Sequence, residues 1–182
     1  MLPQLRLYAR HNLLRNRFTS LCQDAGLKVE IEKSPEGFQA RPADVLVHGL
    51  ECGSPVAVDF SVVHTLQQSR PLADMHPGKL AAKVKKQKQW ENRPLCQRVG
   101  WECRPFVVEA VGAYGSGARG LMHSLAKQYA LKLGVTRKEA GLACSAALGT
   151  SVVRAVCRQL ERGFPAPGST TPHPRTNEMA CF

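Results

Sequence analysis

From about Leu5 to Ala25 the apolar residues Leu7, Leu14, Phe18, Leu21 and Ala25 recur at helical spacing, with Arg10, Arg15 and Arg17 mostly off that stripe. Gly26 stands where a left-handed C-cap ends a helix. The period then falls to two. Leu27 to Glu32 alternates as a strand, and Ser34-Pro35-Glu36-Gly37 is a turn. Ala43 to His48 is a second strand, with Val45 and Val47 on one face and Asp44, Leu46 and His48 on the other. Past the turn Gly53-Ser54-Pro55, Val56 to Val63 is a third. Val56, Val58, Phe60 and Val62 share one face of it, and Ala57, Asp59 and Ser61 the other.

A polar link, Gln67 to Gly78, leads to a lysine-rich helix from Lys79 to about Glu91. Arg104 to Val111 reads as a fourth strand and Gly112 to Gly117 as a glycine-rich loop. A helix follows from about Ala118 to Leu133, stopped by Gly134. Thr136-Arg137-Lys138-Glu139 is a capping box that opens the last helix, which reaches about Arg162 with Gly149 as a candidate break. Residues 163–182, rich in Pro, Ser and Thr, read as a disordered tail. The order implies one domain over residues 1–162 of the α/β (α+β) class, a mixed sheet of about four strands flanked by helices.

The 182 residues are 43 % apolar and 21 % charged, an ordinary globular balance. No uninterrupted run of 18 apolar residues occurs, so no membrane partner is expected. Arginines interrupt the N-terminal apolar stretches, unlike a secretory signal. The seven scattered cysteines fit buried free thiols in a reducing, intracellular compartment, which in a eukaryote with a DNA partner is the nucleus. Cys96 and Cys103 lack the spacing and neighbours of a zinc site. With 25 Lys and Arg against 14 Asp and Glu, the net charge of +11 points to a polyanion such as nucleic acid.

Against that charge, three acids stand out. Asp44 and Asp59 lie on neighbouring strands, and Asp59 interrupts an otherwise apolar one, which is costly unless the carboxylate is used or paired. Glu32 closes the first strand. Hydrolysis of a phosphodiester needs a divalent cation to neutralise phosphate and to supply hydroxide at neutral pH. Mg²⁺, or Mn²⁺ in its place, takes such a ligand set, a couple of carboxylates completed by water and phosphate. A nearby ammonium can then steady the charge that develops. The bland alternatives are a turn role for Asp44 and an arginine partner for Asp59.

Taken in order, Arg10-His11-Asn12, the acid Glu32, RPADVLV with Asp44, VAVDFSVV with Asp59, the basic stretch Lys86-Gln87-Lys88-Gln89-Trp90 and the strand and glycine-rich turn from Phe106 to Gly115 form one pattern. It resembles the restriction-endonuclease-like (PD-(D/E)XK) nuclease superfamily over about residues 8–162. More closely, it resembles the nuclease-like segment at the C-terminal end of reverse-transcriptase polyproteins from animal retroelements. The resemblance implies a metal-dependent DNA endonuclease, with Asp44 and Asp59 as metal ligands and Glu32 holding metal or water. It also brings in the remainder of a longer polyprotein, or a second copy of the chain, as protein partners. The superfamily's usual lysine two residues after the second acid is here Ser61. Where members carry that lysine on the following helix, the matching residue is Lys86, with Lys83 as the alternative on roughly the same helical face.

Arg10, Arg15, Lys83, Lys85, Lys88 and Arg119 are then candidate contacts to the DNA backbone. His11 reads as a packed, hydrogen-bonded histidine, with a role near the phosphate as the alternative, Glu109 as an ion-pair partner or further acid, and Trp90 as a core residue rather than a stacking platform. Gly115-Ser116-Gly117-Ala118-Arg119-Gly120 is formally a dinucleotide fingerprint, but no acid-bearing strand follows about twenty residues on, so a tight packing turn fits it better. Ser61 favours a second function class, a catalytically degenerate nucleic-acid-binding module of the same fold. Both classes predict salt-sensitive DNA binding. Neutralising about six phosphates should cost roughly a thousandfold in affinity between about 50 and 200 mM salt, read by fluorescence anisotropy, and a flat profile would remove nucleic acid as the partner.

Overall fold

The computed structural model describes residues 3–35, 41–51, 53–63 and 78–161. Four helices and four strands follow in the order α1 (Pro3–Asp24), β1 (Lys28–Ile31), β2 (Val45–His48), β3 (Val56–Val63), α2 (Lys79–Arg98), β4 (Glu102–Glu109), α3 (Ser116–Leu133) and α4 (Arg137–Glu161). The expected polar link and C-terminal tail lie largely or wholly outside the described residues. The α+β class is as expected. The sheet runs β1-β2-β3-β4, antiparallel across β1–β2 and β2–β3 and parallel across β3–β4, with α2 as the crossover.

The strand alternation sorts the sheet into two faces. Val45, Val47, Val56, Val58, Phe60, Phe106 and Val108 face the main core, built with Leu14 and Phe18 of α1, Leu121 and Leu125 of α3, and Cys144 and Leu148 of α4. Phe60 packs edge-to-face with Phe18 and tilted against Phe106, with ring centroids 5.3 and 5.1 Å away, within the range of favourable aromatic contacts. On the opposite face Leu46 and Ala57 meet Cys96 of α2, with Ala43, Trp101 and Cys103 packed around them. Asp59 belongs to this second, thinner layer by its period in β3.

Helix ends follow local chemistry. Gly26 and Gly134 take left-handed φ values of 78° and 67° after α1 and α3. Thr136 and Glu139 form the reciprocal capping bonds of α4, and that helix runs through Gly149 unbroken. α2 is longer than its composition suggests. It continues past Glu91 and through Pro94 to Arg98, although proline removes the amide that would reach the Trp90 carbonyl. The acid that starts α2 comes from β4. Glu109, fully buried, accepts from the Gly78 and Ala81 amides at 2.9 and 3.2 Å, satisfying donors that a helix N-terminus leaves open. Glu109 therefore serves as a helix cap.

Residues 137–158 of α4 are long and apolar enough, by length and composition, to cross a membrane. That stretch carries Ala140, Cys144, Leu148, Val152 and Ala155 as a buried stripe, packed with α1 and α3. Among the described cysteines Cys22, Cys96 and Cys144 are buried free thiols, Cys103 is half-buried and Cys157 exposed.

The glycine-rich turn packs α3 onto β4. A Cβ on Gly117 would lie 2.7 Å from the Pro105 carbonyl oxygen, and one on Gly115 3.2 Å from that of Val107. The formal fingerprint is thus a close-approach turn. Gly117→Ala should destabilise the fold by about 1–3 kcal/mol by overpacking. Gly120→Ala, whose Cβ meets nothing within 4 Å, should be neutral or stabilising by up to about 1 kcal/mol. Urea melts of the two variants check this, and equal effects would refute the close-approach account.

Candidate functional site

β2 pairs with β3 so that Val45 faces Val58. One residue further, just before β2 begins, Asp44 comes opposite Asp59. Both carboxylates, with His11, Phe60, Ser61, Val62 and Lys88, line a cleft of about 340 Å³. The sequence expectation that the two acids come together is met.

Each carboxylate is held by two donors. Asp44 Oδ2 accepts from the Phe60 amide at 2.7 Å and pairs with His11 Nε2 at 2.8 Å. Asp59 Oδ2 accepts from Lys88 Nζ at 2.6 Å and Asn92 Nδ2 at 2.8 Å. α1 thus supports one acid and α2 the other. Lys88 and Asn92 are one helical turn apart, so both reach the same oxygen.

This corrects the lysine assignment. The ammonium that reaches the acids belongs to Lys88, which was expected among the backbone-gripping residues. Lys86 points away and lines a separate surface cleft with Lys83, Gln87, Gln89, Trp90 and Arg93. The inward seam of α2 runs Ala81, Lys85, Lys88, Asn92, Cys96, at helical spacing, with Ala81 and Cys96 fully buried at its ends. Lys85, also on that seam, donates to Ser116 Oγ at 3.1 Å and ties α2 to the start of α3.

Glu32 does not join the site. Its backbone is left-handed, with φ 50°, and its carboxylate turns to Arg15 Nη1 at 2.6 Å and Arg41 Nη1 at 2.9 Å. Two guanidiniums already neutralise it, so the expected metal or water role has no support. Arg15 is correspondingly committed to Glu32, with its side chain only 11 % exposed. Arg10 is 2 % exposed, and burial lowers its guanidinium pKa, so it is no surface grip on DNA. Of the expected backbone contacts, Lys83 and Arg119 stand exposed. Trp90, expected in the core, is 85 % exposed. His11 and Asn92 are site residues that the sequence reading left out. For His11 the available signal was its place one turn before Arg15 on α1, on the face turned to the sheet.

The electrostatics are those of a crowded acid pair. Burial pushes the Asp59 carboxyl up to about 6; the charge and hydrogen bond of Lys88 oppose the rise, and Asp44 adds to it. Burial would also raise Asp44, but hydrogen bonds from His11 and the Phe60 amide outweigh it and hold Asp44 below the usual carboxylate range. The Asp44 hydrogen bond in turn raises the His11 pKa, against the effect of burial. Asp59 therefore holds the proton of the pair near pH 6, and Asp44 stays ionised.

No group of three or more His, Cys, Asp or Glu side chains among the described residues is arranged to hold a metal ion. The available oxygen set is the Asp44–Asp59 pair. Two adjacent carboxylates opening on a cleft suit Mg²⁺ or Mn²⁺, hard cations that keep several waters. Zinc prefers several imidazole or thiolate ligands, and among the described residues His11 is the one such group lining the cleft. The chain matches no protein-family model and no curated protein.

Because the Asp59 carboxyl is raised when folded, the folded state binds a proton between about pH 4 and 6 that the unfolded state releases. Stability from this group is therefore fully present below about pH 4 and is lost as pH rises through 6, by about 2–3 kcal/mol. Asp59→Asn lacks that loss. Its melting temperature minus that of the unsubstituted protein should climb from pH 4 to 7 and then level, as followed by circular dichroism. A pH-independent difference would contradict the raised carboxyl.

Proposed function

We propose that this chain is a divalent-metal-dependent nuclease domain that hydrolyses DNA phosphodiester bonds. The observation that carries the reading is the Asp44–Asp59 pair, apposed across β2 and β3 at the cleft, with the Lys88 ammonium on Asp59. The net charge of +11 supports a polyanionic substrate.

Asp44 and Asp59 would hold Mg²⁺ or Mn²⁺. When bound, the ion supplies charge neutralisation at the phosphate and a lowered pKa for a coordinated water. Asp44, held below the usual carboxylate range by His11 and the Phe60 amide against the effect of burial, is the more readily ionised ligand. Without metal the Asp59 carboxyl is raised to about 6, so protons compete with the ion there and metal affinity should fall on acidification through that value. Lys88 stands where Ser61 leaves the strand without a cation. Its ammonium, delivered from α2, can steady negative charge developing at the attacked phosphate. The expected roles of Lys86 and Glu32 pass respectively to Lys88 and to none of the described acids.

A second reading, the degenerate DNA-binding module, is favoured by Ser61 and by the lack of a third acid at the pair among the described residues. Cleavage assays on plasmid and on single-stranded and branched oligonucleotides in Mg²⁺ or Mn²⁺, with a chelator control, separate them. Lys88→Ala should lower cleavage by roughly 10²-fold or more, the loss typical of a fixed electrostatic group, and Asp59→Ala at least as much. Lys86→Ala should stay within about threefold, since one phosphate contact among many is a small loss. DNA binding without cleavage by the unsubstituted chain would establish the module instead. Equal effects at 86 and 88 would remove Lys88 from the reaction.

A further inference from the structure

The outer face of α2 carries chemistry that the acid pair does not use. Trp90 is 85 % exposed, a large apolar area to leave in water. It sits in a surface cleft of about 490 Å³ with Lys83, Lys86 and Arg93 and two glutamines, Gln87 and Gln89. Lys83, Lys86 and Arg93 are all exposed, and no acid is among the described residues that line the cleft. An indole ringed by cations matches a ligand that is both flat and aromatic and negatively charged: a nucleobase with its phosphates. A protein partner docking on the indole would have to be acidic as well as apolar.

At helical spacing Trp90 lies roughly 200° around α2 from Lys88, on the side away from the acid pair. A helix with its side chains is about 10–12 Å thick, so one strand must round the helix to touch both faces. Duplex DNA, with a persistence length of about 150 bp, does not bend so tightly, and its bases are not free to stack on a protein ring. A single strand does both.

We infer that Trp90, with Lys83, Lys86 and Arg93, is a base-stacking platform for an unpaired stretch of DNA next to the bond that is cut. The substrate is thus a junction, flap or single strand rather than uninterrupted duplex. This rests on the reading of the chain as a DNA-acting domain, but not on its catalysing cleavage.

Binding measured in chelator, without turnover, tests it. With an oligo-dT of about 20 nucleotides, Trp90→Ala should weaken binding about tenfold, the cost of one lost base stack, and Trp90→Phe should recover part of that. Duplex of equal length should change less than about twofold, because its phosphate contacts persist. In a Trp101→Phe background, oligo-dT should quench the remaining indole fluorescence and duplex should not. Equal losses on both DNAs, or no loss on either, would overturn the platform. So would a Trp90→Ala protein that sediments as a monomer from a dimeric parent with DNA affinity unchanged, since the indole would then be a contact between copies. A protein that shows the single-strand contrast but never nicks DNA keeps the platform and loses the nuclease.

Discussion

Two aspartates face one another across antiparallel strands, and most of the architecture on the α2 side of the sheet answers to that repulsion. Like charges directly opposite in a ladder are destabilising. The fold meets the cost from two directions. α1 brings His11 to Asp44, and α2 brings Lys88 and Asn92 to Asp59. A pair of well-packed apolar residues at these positions would hold the sheet as well or better, since buried charges rarely repay their desolvation. Stability therefore does not account for the acids, and the cleft beside them does.

The same constraint explains α2. Only Ala81 and Cys96 of its twenty residues are fully buried, so hydrophobic burial alone attaches it weakly. Its seam is instead polar: Lys85 to Ser116, Lys88 and Asn92 to Asp59, and Glu109 to the helix start. A helix held by polar contacts on one side keeps its remaining lysines and Trp90 in solvent on the other. On the proposed reading, grip and chemistry are then divided between two faces of one helix.

Features governed by local rules were legible in the sequence. β3 falls on Val56–Val63 because its alternation is unbroken, and α4 opens at its capping box because Thr136 and Glu139 bond to each other. Apposition of Asp44 and Asp59 followed from period-two faces on neighbouring strands. Lys88 was hidden for a definite reason. Ending α2 near Glu91 leaves out Cys96, the buried residue that completes the seam through 81, 85, 88 and 92, and Lys86 then looks as well placed as Lys88. Glu32 was hidden by its own backbone, since a left-handed φ at a non-glycine residue redirects the side chain in a way that strand alternation does not foresee. Arg10 was misplaced because a stripe read from apolar residues alone treats every arginine as solvent-facing, and long cationic side chains can lie along a packed interface.

A lysine supplied by a helix rather than by the strand changes what the site depends on. A lysine two residues after Asp59 would share its strand face and be placed by the sheet itself. Lys88 is placed by the rotation and axial position of α2, and those are set at the helix start. Glu109 accepts the Gly78 and Ala81 amides there, and Ala81 lies two turns, about 10 Å, before Lys88 on the same seam. A slip of one residue at that anchor would swing Lys88 by about 100° and carry its ammonium off Asp59. The buried acid in β4, which the sequence offered as an ion-pair partner or further acid, would thus bear on the proposed chemistry at a distance. It fixes the register of the helix that delivers the only lysine lining the cleft among the described residues.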